Sequence, residues 1–332
     1  MKRTLSRRQC LPLLAAGICT GAETSVSEQW RRVASETDGT VGAMALHLSS
    51  GRTAGLHGDE RFPLASVCKL PIAAHILAMV DEGRLSLDEE LTIPRYDVWP
   101  GVSVVAERWP KQRRFRLDEL VEWMVAKSDN TAVQTLFRVG GGPKAMGARL
   151  RQWKIDGIRL DRSERQCALD AAGVRHPPPV SRWTPEMSDK LTAAIPAAER
   201  LAAMREFLGD PRDTGTPAGT VQLLKKLFAG ELLSPKLTAR LVEILKATTT
   251  GSARIKGLLP AGTVVAHKTG TTGTVMDFNG ATNDAGVILL PGGGGQLAIA
   301  VYLKGSTRNQ AAREQVIARV AKAAFESWAI LA

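Results

Sequence analysis

The chain has 332 residues, of which 44% are hydrophobic and 23% charged; that is enough for a full core in one or two domains and unlike disordered or fibrous chains. Its formal charge of +11 includes Lys2, Arg3, Arg7 and Arg8 at the very start, and no basic run is interleaved with aromatics, so nucleic-acid binding has no support. The positive balance implies solubility and a mild pull on anionic ligands.

Residues 1–22 read as an export segment. A basic start leads into Ser6-Arg7-Arg8-Gln9-Cys10-Leu11, which resembles a twin-arginine signal, then an apolar run over 11–19 and the small residues Thr20-Gly21-Ala22. The apolar run is far shorter than the roughly 20 residues of a spanning helix. Cleavage is therefore expected near Ala22, releasing a periplasmic or secreted chain without a membrane span. Cys10 and Cys19 would leave with this segment. Cys68 and Cys167 remain, as small buried hydrophobes or as a pair formed in an oxidising compartment.

Residues 27–36 should form a helix, and 42–47 with 53–56 a β-hairpin around Ser49-Ser50-Gly51-Arg52. Residues 70–82 make a strongly apolar helix ending at Gly83. In 117–127, Leu117, Leu120, Val121, Met124 and Val125 recur at helical spacing and deliver Ser128. A helix over 131–139 stops at Gly140-Gly141-Gly142. The C-terminal part turns to short β-type runs at 263–268, 286–290 and 296–303, the last two joined by Pro291-Gly-Gly-Gly-Gly295. A final helix spans 310–330, with Val316, Val320, Ala324 and Trp328 along one seam. The implied fold class is α+β. One five-stranded antiparallel sheet flanked by terminal helices comes from 23–62 and 249–332, and an all-helical domain from 63–248 is inserted between them.

Three motifs carry chemistry. Ser66-Val67-Cys68-Lys69 puts a hydroxyl and an ammonium one helical turn apart, so the lysine can reach the serine and move its proton. Ser128-Asp129-Asn130 and Lys268-Thr269-Gly270 follow in order. The five histidines (His47, His57, His75, His176, His267) lack ligand spacing, so no metal is expected.

Together these motifs, with an acidic residue after Leu160-Asp161-Arg162, resemble the class A serine β-lactamases among the penicillin-recognising serine enzymes, over about residues 29–328. The resemblance implies the β-lactamase/transpeptidase-like fold with the site between the two domains, a small-molecule β-lactam as ligand, a monomer and no cofactor. It implies that Ser66 attacks the lactam carbonyl, that the N–H groups of Ser66 and Thr271 hold the oxyanion, and that Ser128 passes a proton to the leaving nitrogen. Asn130 would meet the substrate's side-chain amide and Lys69. Lys268, Thr269, Gly270 and Thr271 would line a strand edge for the substrate carboxylate, with Arg254 as a second cation. Glu164 would be the base that releases the acyl-enzyme.

The chain departs from the family after Glu164. Ala168 stands where an asparagine is expected, and Leu169-Asp170 falls two residues late; a register set by Leu169-Asp170 would put Gln166 at the base position instead. Arg162 and Asp213 resemble the ion pair at the neck of this loop, but 161–214 is far longer than usual. Within it Thr184-Pro185-Glu186 reads as a helix cap followed by proline at the first helical position, and 197–208 as a further helix. Trp99 is either an aromatic wall of the site or a core residue. His267 reads as a strand-packing residue that, as a cation, could lower the Lys268 pKa. Three functions compete: hydrolysis of β-lactam antibiotics, cleavage of D-alanyl-D-alanine cell-wall peptide, and penicillin sensing without turnover.

Overall fold

The computed structural model describes residues 20–329; nearly all of the expected export segment lies outside them. The central sheet is antiparallel throughout, in the order Thr53–Leu56, Thr40–His47, Gln296–Ser306, Phe278–Leu289, Val265–Thr271, with a two-residue strand Thr274–Val275 pairing back onto the start of Phe278–Leu289. The five expected strands are present, but four are longer than the apolar runs suggested. Phe278–Leu289 begins eight residues before 286 because Asn279, Thr282, Asn283 and Asp284 are buried polar residues, each bonded inside the fold. Val265–Thr271 likewise runs on through Thr269 and Gly270 instead of ending at Lys268.

Strand alternation divides the core in two. Leu297, Ile299, Val301 and Leu303 face the terminal helices Thr20–Ser35 and Gln310–Ala329, together with Val26, Trp30, Val316, Val320 and Trp328. Burial of each such side chain stabilises by about 1.5–3 kcal/mol. Trp30 fixes one terminal helix on the other by donating from Nε1 to Val320 O at 2.9 Å. The opposite face carries the smaller Ala298 and Ala300 with Tyr302, which pack against the helical lobe. The Tyr302 hydroxyl donates to Thr220 Oγ1 at 2.7 Å.

The helical lobe is built around Lys69–Asp81, whose residues from Lys69 to Met79 are all buried. A helix apolar on every side must sit at a centre, and this one is wrapped by Leu117–Ala126, Asn130–Val139 and Pro235–Lys246. It ends with Gly83 at φ +69°, the left-handed position that glycine adopts without strain. Among the described residues no helix is long and apolar enough to cross a membrane.

The segment 161–214 is folded. It holds the helices Glu164–Ala171, Met187–Ala193 and Ala197–Phe207. Asp213 Oδ1 accepts from the N–H groups of Asp161 and Arg162 at 2.7 and 2.8 Å, and Arg162 Nε donates to its Oδ2 at 2.5 Å. The cap expected at Thr184 is displaced: the Thr184 hydroxyl bonds Glu186 Oε2 at 2.9 Å, and the helix starts at Met187 with Glu186 as its cap residue. The Met187 N–H donates to the backbone Thr184 O at 3.1 Å, and the Thr184 hydroxyl accepts from no first-turn N–H, which is what an N-cap side chain does.

Candidate active site

Ser66 lies on one 3-10 turn, Ala65–Cys68, which runs directly into the buried helix Lys69–Asp81. Its hydroxyl donates to Glu164 Oε1 at 2.6 Å. Spacing suggested that Lys69 itself would reach the serine; the structure puts Glu164 between them. Lys69 Nζ donates to Ser128 O at 2.8 Å and Asn130 Oδ1 at 2.9 Å, and lies 3.0 Å from Glu164 Oε2. The three N–H groups of the ammonium go to Ser128 O, Asn130 Oδ1 and, at 3.3 Å, Ser128 Oγ, while Glu164 Oε2 is held as an ion pair.

Ser128 has φ +59°, a left-handed conformation costing about 1–3 kcal/mol in a non-glycine residue. The turn is held by Asp129, fully buried, which accepts from Ser103 Oγ at 2.8 Å, Val105 N at 3.0 Å and Ala132 N at 2.8 Å, capping the helix Asn130–Val139. As a result Ser128 Oγ stands 3.1 Å from Lys268 Nζ and 3.3 Å from Lys69 Nζ. The sequence reading passed over Ser103. Its signal was a serine directly before Val104-Val105, and it does cap the short helix Val104–Arg108.

On the sheet side, Lys268 is fully buried, while Thr269, Gly270 and Thr271 border the cavity. Gly270 is required by close approach: a Cβ there would lie 2.6 Å from Leu64 O and 3.0 Å from Val67 N, pushing the strand off the nucleophile turn. Asn283, which the sequence reading missed, holds that turn from the next strand by donating to Pro63 O at 2.8 Å. Arg254 is bound more tightly than a free carboxylate receptor: it donates to Gly270 O, Asn283 O and Thr271 Oγ1 and pairs with Glu314 at 3.1 Å. It therefore fixes the strand edge as well as charging it.

Of the two registers considered for the loop, the one with Glu164 brings a carboxylate to Ser66. Gln166 is exposed and accepts from Ser163 N in a capping box at the start of Glu164–Ala171. Asp170 is drawn away by Arg162, at 2.5 Å. Arg165 ties this helix down through Tyr96 O, Asp97 O and Val98 O, and its guanidinium lies over the rings of Trp99 and Trp183. Trp99 is half-buried and lines the cavity, which places it at the wall. Cys68 and Cys167 are both free thiols, raised by burial above the usual thiol range. Among the described residues no His, Cys, Asp and Glu cluster could hold a metal.

A model of the β-lactamase enzyme family matches residues 25–328. The chain belongs to that family. It is similar to the extended-spectrum β-lactamase PER-1 of Pseudomonas aeruginosa, 33% identical over 275 residues, which cover 80% of this chain and 75% of that protein. It is also similar to the carbapenem-hydrolyzing β-lactamase KPC of Klebsiella oxytoca, 30% identical over 99% of this chain and 98% of the relative. A solved ancestral class A β-lactamase (GNCA) superposes with a TM-score of 0.72 at 35% identity, covering 91% of this chain and 99% of that one. These likenesses make the chain a class A serine β-lactamase.

The β-lactamase site opens into a cavity of about 790 Å³ bounded by Ser66, Asn130, Glu164 and Thr271. Burial, with the charge of Lys69 added, lowers the Lys268 pKa to about 7, against the opposing pull of Glu164. His267, the neighbour considered for that effect, is instead buried against Asp284 Oδ1, with Nδ1 at 2.9 Å. The ammonium is the form that would attract the substrate carboxylate expected at this strand edge, and it is lost as pH rises through about 7. We expect kcat/KM for benzylpenicillin to fall on the alkaline side of about pH 7, since that ratio reports the free enzyme. Lys268→Arg should move this limb upward by several units, because a guanidinium stays charged; an unchanged pH profile in that variant would assign the limb to another group.

Proposed function

We propose that the chain hydrolyses the β-lactam ring of penicillins and cephalosporins through an acyl-enzyme on Ser66, as an exported monomer that confers resistance. The observation that carries this reading is the 2.6 Å hydrogen bond from Ser66 Oγ to Glu164 Oε1, with Lys69 on the other carboxylate oxygen. Glu164 takes the Ser66 proton as Oγ attacks the lactam carbonyl. Ser128 gives its proton to the departing nitrogen and regains one from Lys69, which is resupplied by Glu164 across 3.0 Å. Glu164 is again a carboxylate, ready to take a proton from water as that water attacks the ester; the same proton then returns to Ser66 Oγ as it leaves.

In this assignment Asn130 receives the substrate's side-chain amide, and Lys268, Thr269, Thr271 and Arg254 receive its ring carboxylate. The N–H groups of Ser66 and Thr271 hold the oxyanion. A carboxylate this close to the nucleophile suits rapid release of the ester and speaks against both the peptidase and the sensor readings. Stopped-flow mixing with a chromogenic cephalosporin should show steady turnover with no accumulated ester. A single stoichiometric burst followed by arrest would overturn the hydrolase reading in favour of a penicillin-binding protein.

A further inference from the structure

The cavity does not end at the catalytic residues. It continues between Glu164–Ala171 and the inserted helix Ala197–Phe207, and its lining includes Ala168, Ala172, Thr192, Arg200 and Met204. Ala203, Met204 and Phe207 stand three, four and seven residues after Arg200, hence on its side of the helix. Met204 and Phe207 pack with Ala171, Cys167 and Val275, and a Cβ on Gly173 would lie 3.1 Å from the Ala203 methyl. Arg200 is thus one turn beyond this apolar contact, where the small Ala168 and Ala172 leave the space open.

The arginines lining this cavity differ in one respect. Arg162 is paired with Asp170, Asp210 and Asp213, Arg254 with Glu314, and Arg165 is bonded to three backbone carbonyls. Arg162 Nη2, Arg165 Nε and Arg200 Nε are all buried without an acceptor, but only the half-buried Arg200 makes no other side-chain hydrogen bond or ion pair among the described residues. Asp189 borders the cavity from Met187–Ala193 but is exposed and does not pair with it. A guanidinium N–H removed from water without an acceptor is unfavourable until an acceptor arrives. An anionic group entering the cavity is such an acceptor, and a carboxylate matches the guanidinium fork.

We propose that Arg200 is a specificity-determining residue that selects β-lactams whose acyl side chain ends in a carboxylate. This rests on the hydrolase reading above. The ring carboxylate and the acyl group leave the bicyclic nucleus on opposite sides. With the ring carboxylate at Lys268, the acyl group is directed past Asn130 along Glu164–Ala171, the wall that leads to Arg200.

The test uses cephalosporins with succinyl, glutaryl and adipyl groups on the 7-amino nitrogen, each as the free acid and as its terminal methyl ester, so that reach is varied and charge is isolated. The parent should show an acid-to-ester ratio of kcat/KM above one at the best chain length. That ratio should drop about tenfold in Arg200→Gln, be partly restored in Arg200→Lys, and shrink with added salt. A merely structural arginine would lower acid and ester together and leave the ratio unmoved, which overturns the proposal, as does a parent without acid preference at any length. Benzylpenicillin run with the parent separates the two readings: no turnover of it would sink the hydrolase assignment itself, whereas turnover with an unmoved ratio sinks only the role of Arg200.

Discussion

Glu164→Gln should acylate with benzylpenicillin and then stop, leaving an ester whose mass persists when the parent has long returned to the free enzyme. Its carboxylate is the acceptor for Ser66 and the partner of Lys69. An amide cannot take a proton from water, so the general-base contribution of about 10²–10⁴-fold to ester hydrolysis is lost, equivalent to roughly 3–5 kcal/mol of barrier. Acylation also loses Glu164 as the acceptor of the Ser66 proton, but the Lys69 amine, one turn from the serine and still held by Ser128 and Asn130, remains to receive it, so this step should be slowed less. Intact-mass spectra at timed intervals decide the matter. Ala168, in the place of the family's asparagine, offers no amide to orient the water, so the loss should be near the upper end of that range. Full turnover by the variant would reduce Glu164 to a loop acid with no part in the chemistry.

Ser66→Ala should remove covalent labelling by penicillin altogether and cut turnover by at least about 10⁴-fold, the scale seen when a nucleophile is deleted. The fold should tolerate the change. Ser66 is half-buried on a short turn, and the variant gives up one hydrogen bond, ordinarily worth about 0.5–1.5 kcal/mol. Labelling by intact mass and the thermal midpoint are measured together. A stoichiometric adduct on a normally melting variant would place the nucleophile elsewhere.

Both expectations start from motifs that local rules make legible. An apolar run over 70–82 had to be a buried helix, and its start carries Ser66 and Lys69 with it. The five helical-period residues from Leu117 to Val125 led to Ser128, and the glycine turn between the last two strands marked a hairpin. Buried polar residues hid the rest of the sheet. Asn283 and Asp284 break the apolar alternation, yet Asn283 bonds Pro63 O and Asp284 the His267 ring, partners that lie well away in the chain. A pattern of neighbours along the sequence cannot register such partners.

By itself the sequence determined the sheet-and-helix layout, the order of Ser66, Lys69, Ser128, Asn130 and Lys268, and the presence of an acid after Arg162, because periodicity and motif spacing are local properties. Tertiary structure alone decided which atoms meet. It set Glu164 rather than Lys69 against the Ser66 hydroxyl, turned Gln166 outward into a helix cap, and tied Arg254 to Glu314. It left the Arg200 side chain beside the cavity without a hydrogen-bond or ion-pair partner among the described residues. The physical reason is that hydrogen-bond and charge satisfaction is a count over partners brought together from across the fold: an ammonium only donates, so the Ser66 hydroxyl takes as its acceptor the Glu164 carboxylate that the folded loop brings to it.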